Sequence, residues 1–267
     1  MCIYYGKPYK DQTGAYEYHV GECYQIWEEL IINRTKAIAH FCQALDVSFE
    51  EFKNKTKKAV LLHDAGKLLP PFQQQMQRLI DEKPVDPKLF FRHELASAWV
   101  MFISGFNEFR NNEYLIPWDV LVVLGHHKNL QLDWLSFERE RSRNTLPGLT
   151  AEALDYMLKI IYEYEITFEI DVAKTVKSFA RNRWVKNLLH ELQGRLNSTR
   201  ICQISVKERQ NVRLLYSLTR GFLMNCDWLA SANEADRLPI NHQVTSNILK
   251  DRIKAKISKE GKEYKEL

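Results

Sequence analysis

Apolar positions recur along most of this chain at spacings of three and four, the period of an amphipathic helix and not the alternation of a strand. Residues 20–45 place Val20, Ile26, Trp27, Leu30, Ile31, Ala37, Ile38 and Phe41 in that pattern. A second helix is expected to follow Asp46–Ser48 and run to about Ala65, where Gly66 offers a stop. Pro70 and Pro71 are expected to break the chain, with helix resuming from Phe72. Pro87 can open a helix through Phe91, Leu95, Trp99 and Phe102, and Pro117 can open the apolar run Trp118–Leu124. Thr150, with Glu152 two residues on, starts a helix carrying Leu154, Met157, Leu158 and Ile161. Residues 168–193 and 207–231 read as two more helices. Residues 128–149 read as a long loop, and Ile3–Tyr5 is the one ambiguous strand-like stretch. The pattern predicts an all-α fold, a compact helical bundle, with residues 1–249 as one domain and 250–267 as a basic C-terminal tail.

Composition narrows the class. With 45% hydrophobic and 27% charged residues over 267 positions, the chain can bury a core. No run approaches the roughly 18 apolar residues of a membrane span, and no apolar core follows the N-terminal start, so neither a membrane anchor nor a secretory signal is expected. Cys2, Cys23, Cys42, Cys202 and Cys226 form no CxxC pair, which argues against a thiolate zinc site and points to a reducing, cytoplasmic setting. Cys23, Cys42, Cys202 and Cys226 fall on apolar faces and read as small core residues. The net charge of +4 is unevenly spread: residues 174–220 carry eleven Lys and Arg against two acids. Such a strip either meets a polyanion or is a set of solvated helix faces.

Three apolar segments carry polar groups where the interior should be. His63 and Asp64 follow Ala59–Leu62, His126 and His127 end the run from Val120 to Leu124, and Asp227 lies within Phe222–Leu229. Each alone has an ordinary explanation, as a hydrogen-bonded core histidine or one half of a buried ion pair. Together they are explained most economically by a metal ion, which satisfies imidazole nitrogens and carboxylate oxygens at once. Neighbours on a helix point about 100° apart, so His63 and Asp64 can serve one cavity only if it is wide or holds two ions, with Asp64 bridging. Nitrogen and oxygen donors suit Mn, Fe, Co, Ni or Zn more than Ca.

The same residues carry a resemblance. His19, His63–Asp64 and Asp227 resemble the H…HD…D signature of HD-superfamily metal-dependent phosphohydrolases. His63-Asp-Ala-Gly-Lys67 with Phe72–Gln73, Arg92-His-Glu-Leu-Ala-Ser97, Gly125-His-His-Lys128 and Cys226-Asp-Trp-Leu-Ala-Ser231 are similar, in order, to motifs of the HD nuclease of type I CRISPR interference. Cys226 and Lys128 depart from that pattern, standing where alanine and a small residue are common.

The resemblance implies an HD-type helical bundle and a hydrolase, a metal-dependent nuclease of CRISPR antiviral defence. His19, His63, Asp64 and Asp227 would hold one divalent transition-metal ion, and His93, His126 and His127, sharing Asp64, a second. Asp64 and Lys67 are the catalytic candidates, with Lys67 on a substrate phosphate, shielding developing charge, or an ordinary helix-end lysine. Ser231 and Glu94 would hydrogen-bond ligands, or be a helix-end serine and a surface acid. The implied substrate is single-stranded DNA, cut as an endonuclease or an exonuclease. The implied partners are the helicase subunit or domain of the CRISPR nuclease-helicase and an RNA-guided surveillance complex. No GxxxxGK[ST] loop is present, so no ATPase activity is expected of this chain. Arg181, Arg183, Lys186, Arg195, Arg200, Lys207, Arg209 and Arg213 are the candidates for tracking a nucleic-acid backbone, with Trp184 as a stacking surface or a core residue. The competing readings are a phosphohydrolase of nucleotides or cyclic nucleotides, and an interaction subunit with a structural metal.

Overall fold

The computed structural model describes residues 4–8, 11–86, 92–112, 115–127, 150–166 and 184–232. Among them the architecture is helical: α1 (Tyr16–Ala44), α2 (Phe49–Leu62), α3 (Pro70–Ile80), α4 (His93–Ser104), α5 (Phe106–Asn111), α6 (Trp118–Leu124), α7 (Ala151–Glu163), α8 (Trp184–Leu196), α9 (Ser198–Gln203) and α10 (Val206–Ser231). Short 3-10 turns cover Gln12–Gly14 and Ala65–Leu68. The described residues hold no strand; the Ile3–Tyr5 region contributes an isolated antiparallel bridge from Tyr5 to Ala15. No described helix is long and apolar enough to cross a membrane. The expected loop 128–149, the tail 250–267, Lys128, Arg181, Arg183 and most of the expected 168–193 helix before Trp184 lie outside the described residues.

Helix starts follow local chemistry. Ser48, Thr150 and Ser205 each accept a hydrogen bond from the backbone N–H three residues on, capping α2, α7 and α10. The prolines at 70 and 71 open α3 instead of breaking the chain, because the first turn needs no N–H from them. The second helix ends at Leu62, three residues before the expected stop.

The long helices α1 and α10 run antiparallel against each other and both pack on α2, while α6 lies across α10, α2 and α4. Phe52 of α2 stacks on Trp118 of α6 and meets Phe222 of α10 edge-on, so one ring joins three helices. Trp27 of α1 is buried, and its Nε1 donates to Thr56 Oγ1 at 3.1 Å. At one end of the bundle Asn211 Nδ2 donates to the Leu45 carbonyl at 3.0 Å. The opposite ends of α1 and α10, with the C-terminal ends of α2 and α6 and the start of α4, meet at the other end, where the histidines gather.

Two expectations are corrected. Cys202 is exposed, while Cys23, Cys42 and Cys226 are buried. Arg195 cannot track a nucleic-acid backbone. Its side chain is only 4% exposed, NH1 donates to the carbonyls of Asn112 and Leu115 at 2.8 and 3.0 Å, NH2 donates to that of Phe109 at 2.7 Å, and Glu191 balances the charge. It ties α8 to the chain leaving α5. Arg195→Met would take its guanidinium donors away from those carbonyls and leave Glu191 without its cation, and we expect a loss of about 3 kcal/mol in urea unfolding. A loss below about 1 kcal/mol would contradict this role.

Candidate metal centre

Each candidate ligand is delivered by a helix end. His19 sits in the first turn of α1, and His93 is the first residue of α4. Asp227 lies in the last two turns of α10. His63 is the residue after α2, and His126 and His127 lie just beyond α6.

The early end of α2 matters here. Asp64 takes φ −105° and ψ 8° between α2 and the 3-10 turn, so the His63 and Asp64 side chains are no longer held to the helical angle and both face one cavity. His63 Nδ1 donates to the Val60 carbonyl at 2.7 Å, and His126 Nδ1 donates to the Val123 carbonyl at 2.6 Å. Each bond satisfies a carbonyl in the last turn of α2 or α6 that the helix leaves unpaired. A carbonyl can only accept, so Nδ1 carries the proton, and Nε2 of the neutral ring is a lone pair aimed at the cavity.

The distances define the cluster. His19 Nε2 lies 3.2 Å from Asp64 Oδ2 and 3.3 Å from Asp227 Oδ1. His63 Nε2 lies 3.5 and 3.7 Å from the same two oxygens. On the other side of Asp64, Oδ1 is 3.1 Å from His93 Nε2 and 3.9 Å from His126 Nε2. His127 Nε2 reaches His93 Nε2 at 3.2 Å. These atoms fall into two overlapping sets, His19–His63–Asp64–Asp227 and Asp64–His93–His126–His127, each with its ligand atoms within 4.8 Å of one another. Asp64 belongs to both. The first set is buried, whereas His127 in the second is exposed and marks the mouth.

The fit to a cation follows from what these atoms lack. His63 Nε2, His126 Nε2 and both Asp64 oxygens are buried without a hydrogen-bond partner of good geometry. Lone pairs and carboxylate oxygens face one another, an arrangement that repels unless positive charge stands between them. The Lys67 ammonium supplies part of it, ion-paired with Asp64 Oδ2. Burial alone would raise the Asp64 carboxyl, but Lys67, His63, His19 and His93 outweigh it and hold its pKa well below the usual range. Burial likewise opposes the ionised Asp227, and the neighbouring imidazoles of His19 and His63 bring its pKa down. Burial works against a charged His63, yet Asp64 and Asp227 pull its pKa up. Burial, with neighbouring imidazoles, pushes His126 well down and His127 down. A low-lying His126 and two ionised acids form a ready ligand set for a divalent ion.

A supporting layer surrounds the ligands. Glu94 is buried, paired with Arg92 at 2.8 Å, and its Oε2 lies 3.8 Å from His93 Nδ1, so it is no surface acid. Ser231 Oγ donates to Asp227 Oδ1 at 3.3 Å. Four positions were not singled out by sequence for this layer. Cys23 Sγ lies 3.7 Å from His19 Nε2 and forms a third group with His19 and His63; burial raises its pKa well above the ordinary thiol value, so it is a protonated wall residue. Arg220 Nε donates to the Gly125 carbonyl at 3.0 Å, fixing the turn before His126. Ser97 Oγ accepts from Gly66 N at 2.9 Å and donates to the His93 carbonyl at 3.1 Å. Gly66 itself presses on α4. A Cβ there would collide with the His93 carbonyl and come within 2.9 Å of its Cα. Hydrophobic periodicity is silent on these four, because each acts through one specific contact; only the regular placing of Gly66 and Ser97 within the motifs hinted at them.

The remaining basic candidates are placed as follows. Lys207 is ion-paired with Asp46 at 2.6 Å, and Arg209 NH1 donates to the Ile201 carbonyl at 3.0 Å. Arg213 is exposed. At 1.5 Å per residue, Lys207 and Arg213 stand roughly 20–30 Å along α10 from Asp227. The side chains of Trp184, Lys186 and Arg200 are outside what is described.

Among the described residues, a helical bundle whose helix ends converge on a buried His-Asp pair defines an HD-type domain with a candidate metal centre. The family model described as Cas3, HD domain, matches residues 17–235, and the chain belongs to that CRISPR-associated family. Among solved structures it is similar to the CRISPR-associated Cas3 HD domain protein from Methanocaldococcus jannaschii, at 18% identity and a TM-score of 0.48, covering 83% of this chain and 98% of that one. No curated protein matches.

The Gly66 contact is open to test. Gly66→Ala should destabilise the protein by about 1–3 kcal/mol through overpacking against His93. Ser97→Ala should cost about 1–3 kcal/mol by leaving the Gly66 N–H buried and unpaired. Both are read from thermal or urea unfolding of chelator-treated protein. Wild-type stability in both variants would show that the turn and α4 are held by other contacts.

Proposed function

We propose that this chain is a metal-dependent nuclease that hydrolyses DNA phosphodiesters, single-stranded DNA foremost, in type I CRISPR interference, with two divalent transition-metal ions in the cluster. The observation that carries this reading is the pair of four-residue ligand sets joined through Asp64. Ions so held would supply Lewis-acid polarisation of the phosphodiester, activation of water at neutral pH and neutralisation of the leaving oxygen.

The protein's own residues define the rest. His19, His63 and Asp227 bind on the buried side of Asp64, and His93, His126 and His127 on the side that opens to solvent. The substrate phosphate enters past His127, the exposed member. Lys67 holds the Asp64 carboxylate by its ammonium and lies 5.9 Å from the centre of the Phe72 ring, which in turn packs edge-on against His93. From that position Lys67 offsets charge on a phosphate. Glu94 and the carbonyls of Val60 and Val123 keep the imidazoles oriented, so the geometry is formed before substrate arrives. Membership of the Cas3 HD family supports a helicase and an RNA-guided surveillance complex as the partners that deliver the strand.

His63→Ala and Asp64→Ala should each lower degradation of single-stranded DNA at least about 100-fold, by analogy with the loss on disturbing metal ligation, while helical circular dichroism stays near wild type. Chelator should stop the wild-type reaction, and Mn²⁺, Co²⁺ or Ni²⁺ should restore it. Full activity in either variant, or activity indifferent to chelator, would defeat the assignment. Turnover of nucleotides or cyclic nucleotides with DNA left intact would give the site a different substrate.

A further inference from the structure

The segment before α1 is strapped across the back of the centre, ahead of the residues the family model matches. Gln73 of α3 clamps it. Its Oε1 accepts from Tyr5 N at 2.9 Å, and its Nε2 donates to the carbonyls of Tyr5 at 2.9 Å and Lys67 at 2.7 Å. Tyr16 N donates to the Tyr4 carbonyl and Gly6 N to that of Gly14, both at 2.8 Å. Gly6 lies directly on the first turn of α1: a Cβ there would be 3.3 Å from Tyr16 Cα and 3.7 Å from His19 Cβ. The next residue, Lys7, is buried, and its Nζ donates to the Ala230 carbonyl at 2.9 Å.

Ala230 is in the last turn of α10, three residues after Asp227. Its carbonyl lies among the last ones of the helix, where a cation is favoured by the helix dipole. A buried ammonium is costly unless it has a purpose-built partner. Here its charge also lies within electrostatic reach of Lys67, Asp227 and Asp64.

We propose that Lys7 is a positioning residue of the metal centre: held in place by the Gln73 clamp, it pins the C-terminal end of α10 and so sets Asp227 against His19 and His63. This rests on the two-ion reading, and it predicts an effect concentrated on one ion, because the second ligand set, apart from the shared Asp64, hangs on α4 and α6, which the strap does not touch in any contact described above.

The test is a Co²⁺ titration of the chelator-stripped 267-residue chain, followed by visible absorption, with melting of the metal-free protein recorded in parallel. Wild type should take up two equivalents. Lys7→Met should weaken one of them by about 10–100-fold, the usual effect of losing a partner behind a ligand, and leave the other within about twofold. The weakened equivalent should be the one that Asp227→Asn removes. Gln73→Leu, which releases the strap while keeping Lys7, should give the same selective loss, and Lys7→Arg, which can still donate to Ala230, should recover it. Equal weakening of both equivalents, or no weakening in Lys7→Met and Gln73→Leu, overturns the inference and leaves the centre standing. A wild-type chain binding fewer than two equivalents overturns the two-ion reading and this inference together.

Discussion

A carboxylate buried to the last oxygen at Asp64 organises this molecule. An anion in that setting costs several kcal/mol unless positive charge and polarised groups surround it. The Lys67 ammonium meets part of that demand, and the fold gathers nitrogens from separate helices around the two oxygens, His19 and His63 near one, His93 and His126 near the other, an arrangement that a cation would complete. The division between the two oxygens is also the division between the two ligand sets. A buried charge that would weaken an ordinary core thereby becomes the hinge of the candidate metal centre.

Helix ends are the means of construction. A helix interior has no spare backbone groups and holds neighbouring side chains at a fixed angle; a helix end has both unpaired carbonyls and angular freedom. His63 and His126 use this in the same way, closing the last turn with Nδ1 and presenting Nε2 to Asp64. The bond that finishes the helix also selects the tautomer needed for ligation, so local stability and site geometry are set by one contact. The antiparallel pairing of α1 with α10 then explains how His19 and Asp227, more than two hundred residues apart in the chain, come within 3.3 Å.

Much of this was legible beforehand where a residue broke its local pattern. His63, Asp64 and Asp227 announced themselves as polar groups in apolar runs, and they lie buried together. His19 and His93 sit in ordinary surroundings and were reached only through the spacing of known motifs. Arg195 shows the opposite failure. In the sequence it is one more cation in a basic stretch, but in the fold it is the donor that satisfies three carbonyls. Charge content does not tell whether a guanidinium faces water or a set of buried carbonyl oxygens. The early end of α2 was missed for a related reason: Ala65 and Gly66 permit helix or turn alike, and the contact with α4 chooses the turn.

The amino-acid sequence by itself determined the helical class, the starts of α2, α6, α7 and α10, and the identity of the groups that must escape an apolar interior. Those follow from periodicity, capping and desolvation, which act over a few residues. Only the tertiary structure decided how the two oxygens of Asp64 are divided between two sets of imidazoles, that Cys23, Ser97, Arg220 and Lys7 stand behind them, and that Arg195 belongs to the interior. Those depend on which helix ends meet, and that is settled by packing of whole faces such as Phe52 between Trp118 and Phe222, not by anything within reach of a single segment.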